Sequence, residues 1–160
     1  MNNPLKLDEI DRRILRELRR DGRISNAKLA ERVGLSATPC WNRVKALEDA
    51  GVISGYAALL NQKALGLDLT AIIQISMDRH TPERFEKFEA AIRGFEEVQQ
   101  CYLITGQSAD YLLKVAVPDM DHYQAFLLNK ITRIEGVSGV HSSFVMRKVV
   151  DATALPLNYL

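Results

Sequence analysis

Cysteine is scarce, with two residues in 160, and Cys40 and Cys101 stand 61 positions apart with no CxxC or histidine spacing beside them. That excludes a disulfide framework and a recognisable zinc site, and both cysteines read as reduced, small core residues. Histidine is as sparse: His80, His122 and His141 fall on different predicted elements, no GxSxG or HExxH occurs, and the carboxylates mostly lie on helix faces or in turns. No catalytic constellation emerges, so the expectation is a protein that is not an enzyme, with no metal and no cofactor in the strict sense. No apolar run approaches the roughly 20 residues that cross a bilayer, and the N-terminus lacks the charged-then-apolar order of a signal peptide. The chain is expected to be cytoplasmic, with no membrane partner.

An excess of one charge is also missing. The 21 Lys and Arg face 20 Asp and Glu, a net of +1, which by itself argues against a polyanionic partner. The balance is local fiction, however. Residues 1–60 hold 11 basic and 8 acidic side chains, while 61–160 hold 10 and 12. Between Arg12 and Lys45 ten basic residues meet only Glu17, Asp21 and Glu31, a local net of +7. A basic module joined to an acidic one follows. At 47% hydrophobic the chain can fold without staples, burying roughly 68–70% of its unfolded surface at this size.

In the basic half, Leu7, Ile10, Ile14, Leu15 and Leu18 recur at helical spacing, with Asp8 placed as an N-cap and Gly22 just beyond the end. Ser25 caps a short second helix carrying Leu29, Ala30 and Val33 inward before Gly34. Ser36 then caps a third, with Pro39 tolerated in its first turn and Cys40, Val44 and Leu47 as the inward stripe before Gly51. Three helices with tight turns make a helix-turn-helix candidate. Its third helix would meet the major groove, with helix N-termini meeting phosphates. The candidate DNA-binding residues are Ser25, Asn26, Lys28, Ser36, Thr38, Pro39, Trp41, Asn42, Arg43 and Lys45. A solvated basic face is the competing reading. Val52 to Tyr56 and Ala57 to Leu60 read as two short strand pieces, a wing or a connector.

Beyond Asn61 to Asp68 the period alternates. Thr70 to Met77, Val98 to Ile104, Tyr111 to Val117 and Val137 to Met146 read as strands, with helices marked by Phe85, Phe88 and Ile92 and by Tyr123 through Ile134. The order is βαββαβ, the ferredoxin-like split arrangement. Apolar residues on both alternating sets, such as Ile72, Tyr102, Leu112 and Val145 on one, predict a sheet face covered by a partner and hence a homodimer. The turn Thr105-Gly106-Gln107-Ser108-Ala109-Asp110 has two readings. One is a hairpin loop with Gly106 at positive φ and Asp110 bonding locally; the other is a polar patch suited to a small zwitterion.

Several ordered motifs carry a family resemblance. Leu7-Asp8-Glu9-Ile10-Asp11-Arg12-Arg13-Ile14-Leu15, Asp21-Gly22-Arg23-Ile24-Ser25-Asn26, Gly34-Leu35-Ser36-Ala37-Thr38-Pro39-Cys40 and Arg43-Val44-Lys45-Ala46-Leu47-Glu48 resemble the Lrp/AsnC (leucine-responsive, feast/famine) transcription factors. Asp110-Tyr111-Leu112-Leu113-Lys114-Val115 and Val117-Pro118-Asp119-Met120 extend the likeness through the second half. The resemblance is greatest to the leucine-responsive branch. It implies an α+β fold, with an N-terminal winged-type helix-turn-helix domain at residues 1–60, including a hinge strand. A linker at 61–68 would lead to a C-terminal ferredoxin-like effector-binding and oligomerisation domain at 69–160. The implied function is a sequence-specific regulator of transcription on double-stranded DNA that answers to an amino acid; an effector-independent architectural DNA-binding protein is the alternative. The resemblance further implies dimers that build octamers, and effector binding near Tyr102, Thr105, Gly106, Gln107, Ser108, Ala109 and Asp110. Here three residues separate Gly106 from Asp110, where two are familiar, so effector identity does not carry over.

Overall fold

Asp8 opens the first helix by exchanging bonds with Asp11. Its Oδ1 accepts from the Asp11 N–H at 2.9 Å and the Asp11 Oδ2 accepts from the Asp8 N–H at 3.1 Å, a reciprocal capping box. In the computed structural model, which describes residues 6–106, 109–152 and 154–159, this helix is α1, Glu9–Arg20. The short α2, Asn26–Val33, starts where Ser25 Oγ accepts from the Lys28 N–H and stops at Gly34, whose φ of 74° is the left-handed turn that glycine adopts without strain. Helix α3 is Ala37–Asp49. Ser36 occupies its cap position but its side chain makes no capping bond, against expectation. Pro39 is the third residue of the helix and has no N–H to offer, which removes one of the two donors a cap can use. Ile14, Leu29, Ala30, Val33, Cys40 and Leu47 form the core of the three helices.

The strand pieces expected over Val52 to Leu60 are absent among the described residues. The Val52 and Ile53 N–H groups instead both reach back to the Leu47 carbonyl, at 2.9 and 3.1 Å, and finish α3. Residues 54–60 then run on without a ladder. One isolated segment has no neighbour with which to exchange backbone bonds, so extended residues alone do not make a strand.

The second half consists of β1 (Leu69–Met77), α4 (Pro82–Arg93), β2 (Val98–Leu103), β3 (Tyr111–Val117), α5 (Met120–Asn129) and β4 (Val137–Phe144). The strands form one antiparallel sheet in the order β2-β3-β1-β4, the split βαββαβ topology. Alternation sends Ala71, Ile73, Ile75 and Met77 inward with Leu113 and Val115, against Phe88, Ile92, Tyr123 and Phe126 of the helices. The last predicted helix breaks early, at Lys130 (φ −115°), and Ile131–Arg133 continue as a 3-10 turn. Lys130 is held there by Glu97 at 2.5 Å and lies over the Phe95 and Phe126 rings. β4 ends at Phe144, two residues before the expected Met146.

The opposite sheet face is less apolar than expected. Register places Gln74 beside Leu112 and His141, Ile72 beside Lys114 and Ser143, and Tyr102 beside Leu112, so polar and apolar side chains interleave. By contact the chain forms two units. One comprises the described residues of Met1–Leu59 and Asp151–Leu160, the other Leu60–Val150. The described residues among the last ten thus group with the helical unit, where Arg19 Nη1 donates to the Leu155 carbonyl at 3.0 Å. No helix among the described residues is long and apolar enough to cross a membrane.

Candidate nucleic-acid interface and effector loop

Burial divides α3 into two faces. Cys40 and Leu47 are fully buried, whereas Thr38, Trp41, Asn42 and Lys45 are exposed, the spacing of one outward stripe on a helix. Trp41 and Lys45, one turn apart, pair through the ammonium 5.2 Å above the indole ring. Ser36 and Pro39 are also exposed, at the helix start. Hydroxyl, amide and ammonium groups on one rigid face, next to a helix N-terminus, suit base edges and phosphates.

Two of the expected DNA-binding residues are engaged elsewhere. Asn26 Nδ2 donates to the Ala37 carbonyl at 2.8 Å and so ties the start of α2 to the start of α3. Arg43 Nη1 donates to Asp8 Oδ2 at 2.7 Å and to Asp11 Oδ1 at 2.8 Å. The Asp11 N–H bond, followed by Arg43, holds the Asp8 carboxyl below its ordinary range, and the two carboxylates raise the Arg43 guanidinium further. The clue in the sequence is spacing: Arg43 follows Cys40 by three and precedes Leu47 by four, which sets it on the inward stripe rather than beside Asn42 and Lys45. Much of the +7 stretch is internally neutralised as well. Arg16 pairs with Glu9, and Arg20 and Arg32 share Glu17. Ser25 and Lys28, both exposed, remain at the front of α2.

Tyr56, which the sequence reading did not single out, donates its hydroxyl to Glu48 Oε1 at 2.9 Å. It thereby pins the segment that leaves the helical unit against the far end of α3. Burial, then the Glu48 carboxylate, pushes its phenol up to about 12.

In the second unit, each polar atom of Asp110 has a partner within the chain. Its N–H donates to the Ile75 carbonyl at 2.8 Å and its carbonyl accepts from Ile104 at 2.8 Å. Its Oδ2 accepts from the Met77 N–H at 2.7 Å and its Oδ1 lies 2.7 Å from His80 Nε2. Asp110 therefore anchors the loop to the end of β1, and its carboxylate is no longer a simple partner for a ligand ammonium. Gly106 is not in the left-handed region, contrary to the hairpin expectation. Thr105, Gly106 and Tyr102 are exposed and Ala109 is half-buried; Gln107 and Ser108 lie outside the described residues. A cleft of about 670 Å³ elsewhere in the unit, bounded by Glu97, Pro118, His122 and Lys130, shares no residue with this loop. Among the described residues no group of histidine, cysteine and carboxylate side chains could hold a metal ion.

Two family profiles match the chain: one described as winged helix-turn-helix DNA-binding over residues 7–54, the other as the Lrp/AsnC ligand binding domain over residues 70–155. The leucine-responsive regulatory protein of Salmonella typhimurium is 47% identical over 149 residues, covering 93% of this chain and 90% of the relative. That of Escherichia coli K12 is 46% identical with the same coverage. Among solved structures, a transcriptional regulator of Neisseria meningitidis in complex with L-methionine aligns with a TM-score of 0.91 and 41% identity, over 96% of this chain and 98% of that one. Escherichia coli AsnC aligns at 0.85 with 28% identity, over 94% and 99%.

Proposed function

Since the chain belongs to the Lrp/AsnC family of transcriptional regulators, we propose that it reads its operator with the exposed face of α3 and couples that reading to an amino acid held by the second unit. It is a DNA-binding regulator of the leucine-responsive type, not an enzyme, and it responds to an amino acid effector. The observation that carries the residue assignment is the outward stripe of Thr38, Trp41, Asn42 and Lys45, backed by buried Cys40 and Leu47. Asn42 and Thr38 supply base-edge partners; Lys45, Lys28 and the N-terminus of α2 at Ser25 supply phosphate contacts.

A dimer would place two copies of α3 in successive major grooves roughly 34–36 Å apart. The segment at 54–60, which pairs with no strand, and the mixed sheet face are the surfaces that such a dimer, and an octamer built from it, would use. Exposed Thr105 and Gly106 contribute to an effector site completed by a second copy, since Asp110 is engaged by Met77 and His80 of its own chain. The effector can then alter DNA occupancy only by binding assemblies unequally. The neighbour's L-methionine complex supports an apolar amino acid as the first to try. The place of action is the cytoplasm.

Anisotropy titration of a duplex selected from a randomised pool tests the reading face. Asn42→Ala is expected to weaken binding by about 1–3 kcal/mol. Lys45→Ala should lower the salt slope by about 0.9, the signature of one lost phosphate contact. Unchanged binding in both variants would move the interface off α3.

A further inference from the structure

Arg43 is a positively charged residue on the helix that faces DNA, yet its surroundings are wrong for a phosphate. Two carboxylates share its guanidinium, leaving the trio of Asp8, Asp11 and Arg43 with a net charge of −1. A polyanion approaching this group would be repelled rather than drawn in. The carboxylates are themselves fixed, each accepting the other's backbone N–H through the capping box of α1. A guanidinium tied to two immobilised acceptors is held more tightly than one reaching a single mobile side chain.

We propose that Arg43 is a positioning residue: clamped by Asp8 and Asp11 at the start of α1, it sets the pose of α3 and touches neither phosphate nor base. The inference rests on the reading that α3 meets DNA. Its reach follows from a second tether. Asn26 holds the Ala37 carbonyl at 2.8 Å, so α3 is fixed to α2 at its first residue and to α1 six residues later. Those two points span about 9 Å of helix at 1.5 Å per residue. Thr38, Trp41 and Asn42 all lie between them. Loss of either tether lets this half of the helix roll, and base-edge bonds, being directional, suffer more than phosphate attraction does.

The test compares the full chain with Arg43→Gln, with the pair Asp8→Asn/Asp11→Asn and with all three changes together. Each is titrated, across a salt series, against a duplex selected from a random pool and a scrambled duplex of the same composition. Asparagine keeps an oxygen able to accept the cap bond, so the paired variant guards against simple loss of α1. The clamp predicts that Arg43→Gln and the paired variant each lower the selected-to-scrambled affinity ratio at least tenfold. The salt slope should stay unchanged, and the triple variant should be no worse than the weaker of the two. A slope that falls by about 0.9 in Arg43→Gln, with the ratio intact, makes Arg43 a phosphate contact and overturns the proposal. A ratio lost in Arg43→Gln but kept in the paired variant makes it a base contact and does the same. If Arg43→Gln unfolds by circular dichroism, the paired variant decides alone, through the fall or retention of its ratio. Asn42→Ala and Lys45→Ala, run in parallel, separate the two ideas: unchanged binding in both removes the α3 interface, whereas weakened binding there with an intact ratio in Arg43→Gln and in the paired variant overturns the clamp alone.

Discussion

A leucine with no exposed surface at the centre of three helices carries a predictable cost. Leu47 packs with Ile14, Leu29 and Val33, and its backbone carbonyl also accepts from Val52 and Ile53. Leu47→Ala should destabilise the helical unit by about 2–5 kcal/mol, seen as an earlier urea transition. Leu47 was legible in the sequence because apolar spacing is a local property. Arg43 was not, because its partners Asp8 and Asp11 are 35 and 32 positions away and its charge alone suggests DNA. Asp110 was read as bonding locally, whereas its carboxylate reaches the Met77 N–H and His80 and its N–H reaches Ile75, all on or beside a strand distant in sequence.

At the scale of elements, the period of apolar residues located every helix and all four strands of the sheet, while their ends depended on partners distant in sequence. α5 stops where Lys130 finds Glu97, and the segment at 54–60 stays unpaired because a ladder requires a second strand. The turn before β4 shows how elements are joined. Gly136 sits at φ 97°, a conformation that side chains rarely adopt, and an added Cβ would press on the Arg84 Cδ at 3.0 Å, so the turn favours glycine. Arg84 of α4 lies 2.5 Å from Glu135 and Lys87 lies 3.0 Å from it. These two cations, Arg84 first, lower the Glu135 carboxyl from its ordinary 4.5 to about 2. A depressed carboxylate stabilises the fold above its unfolded pKa and ceases to do so as pH falls through the folded value. Glu135→Gln should therefore be less stable than the parent at pH 6 and converge with it between about pH 4.5 and 2. Urea melts across that window check the sign, and the exposure of Glu135 and Lys87 keeps the difference small.

For the whole molecule, the near-zero net charge conceals a division of labour that the fold partly rewrites. The basic stretch is thinned by Glu9, Glu17, Asp8 and Asp11, which pair Arg16, Arg20, Arg32 and Arg43 within the unit. Assembly and effector response belong to this scale too. A thermal-shift panel of the 20 amino acids, paired with light scattering, should show stabilisation by one or a few of them together with a mass above that of one chain. A monomer with no ligand shift would remove the shared effector site. The division into two halves was legible from charge and period. A second copy was only implied, because an interface between copies leaves no pairing to be read within one sequence.

The return of the described residues of 151–159 makes the helical unit depend on both ends of the chain. The chain passes between the units twice, near Leu59 and again near Val150, so the sensor unit is spliced into the reader rather than appended to it. The Arg19 to Leu155 bond lies wholly within the unit that carries α1 to α3, so its loss in Arg19→Ala should be felt there, as an earlier urea transition of the helices.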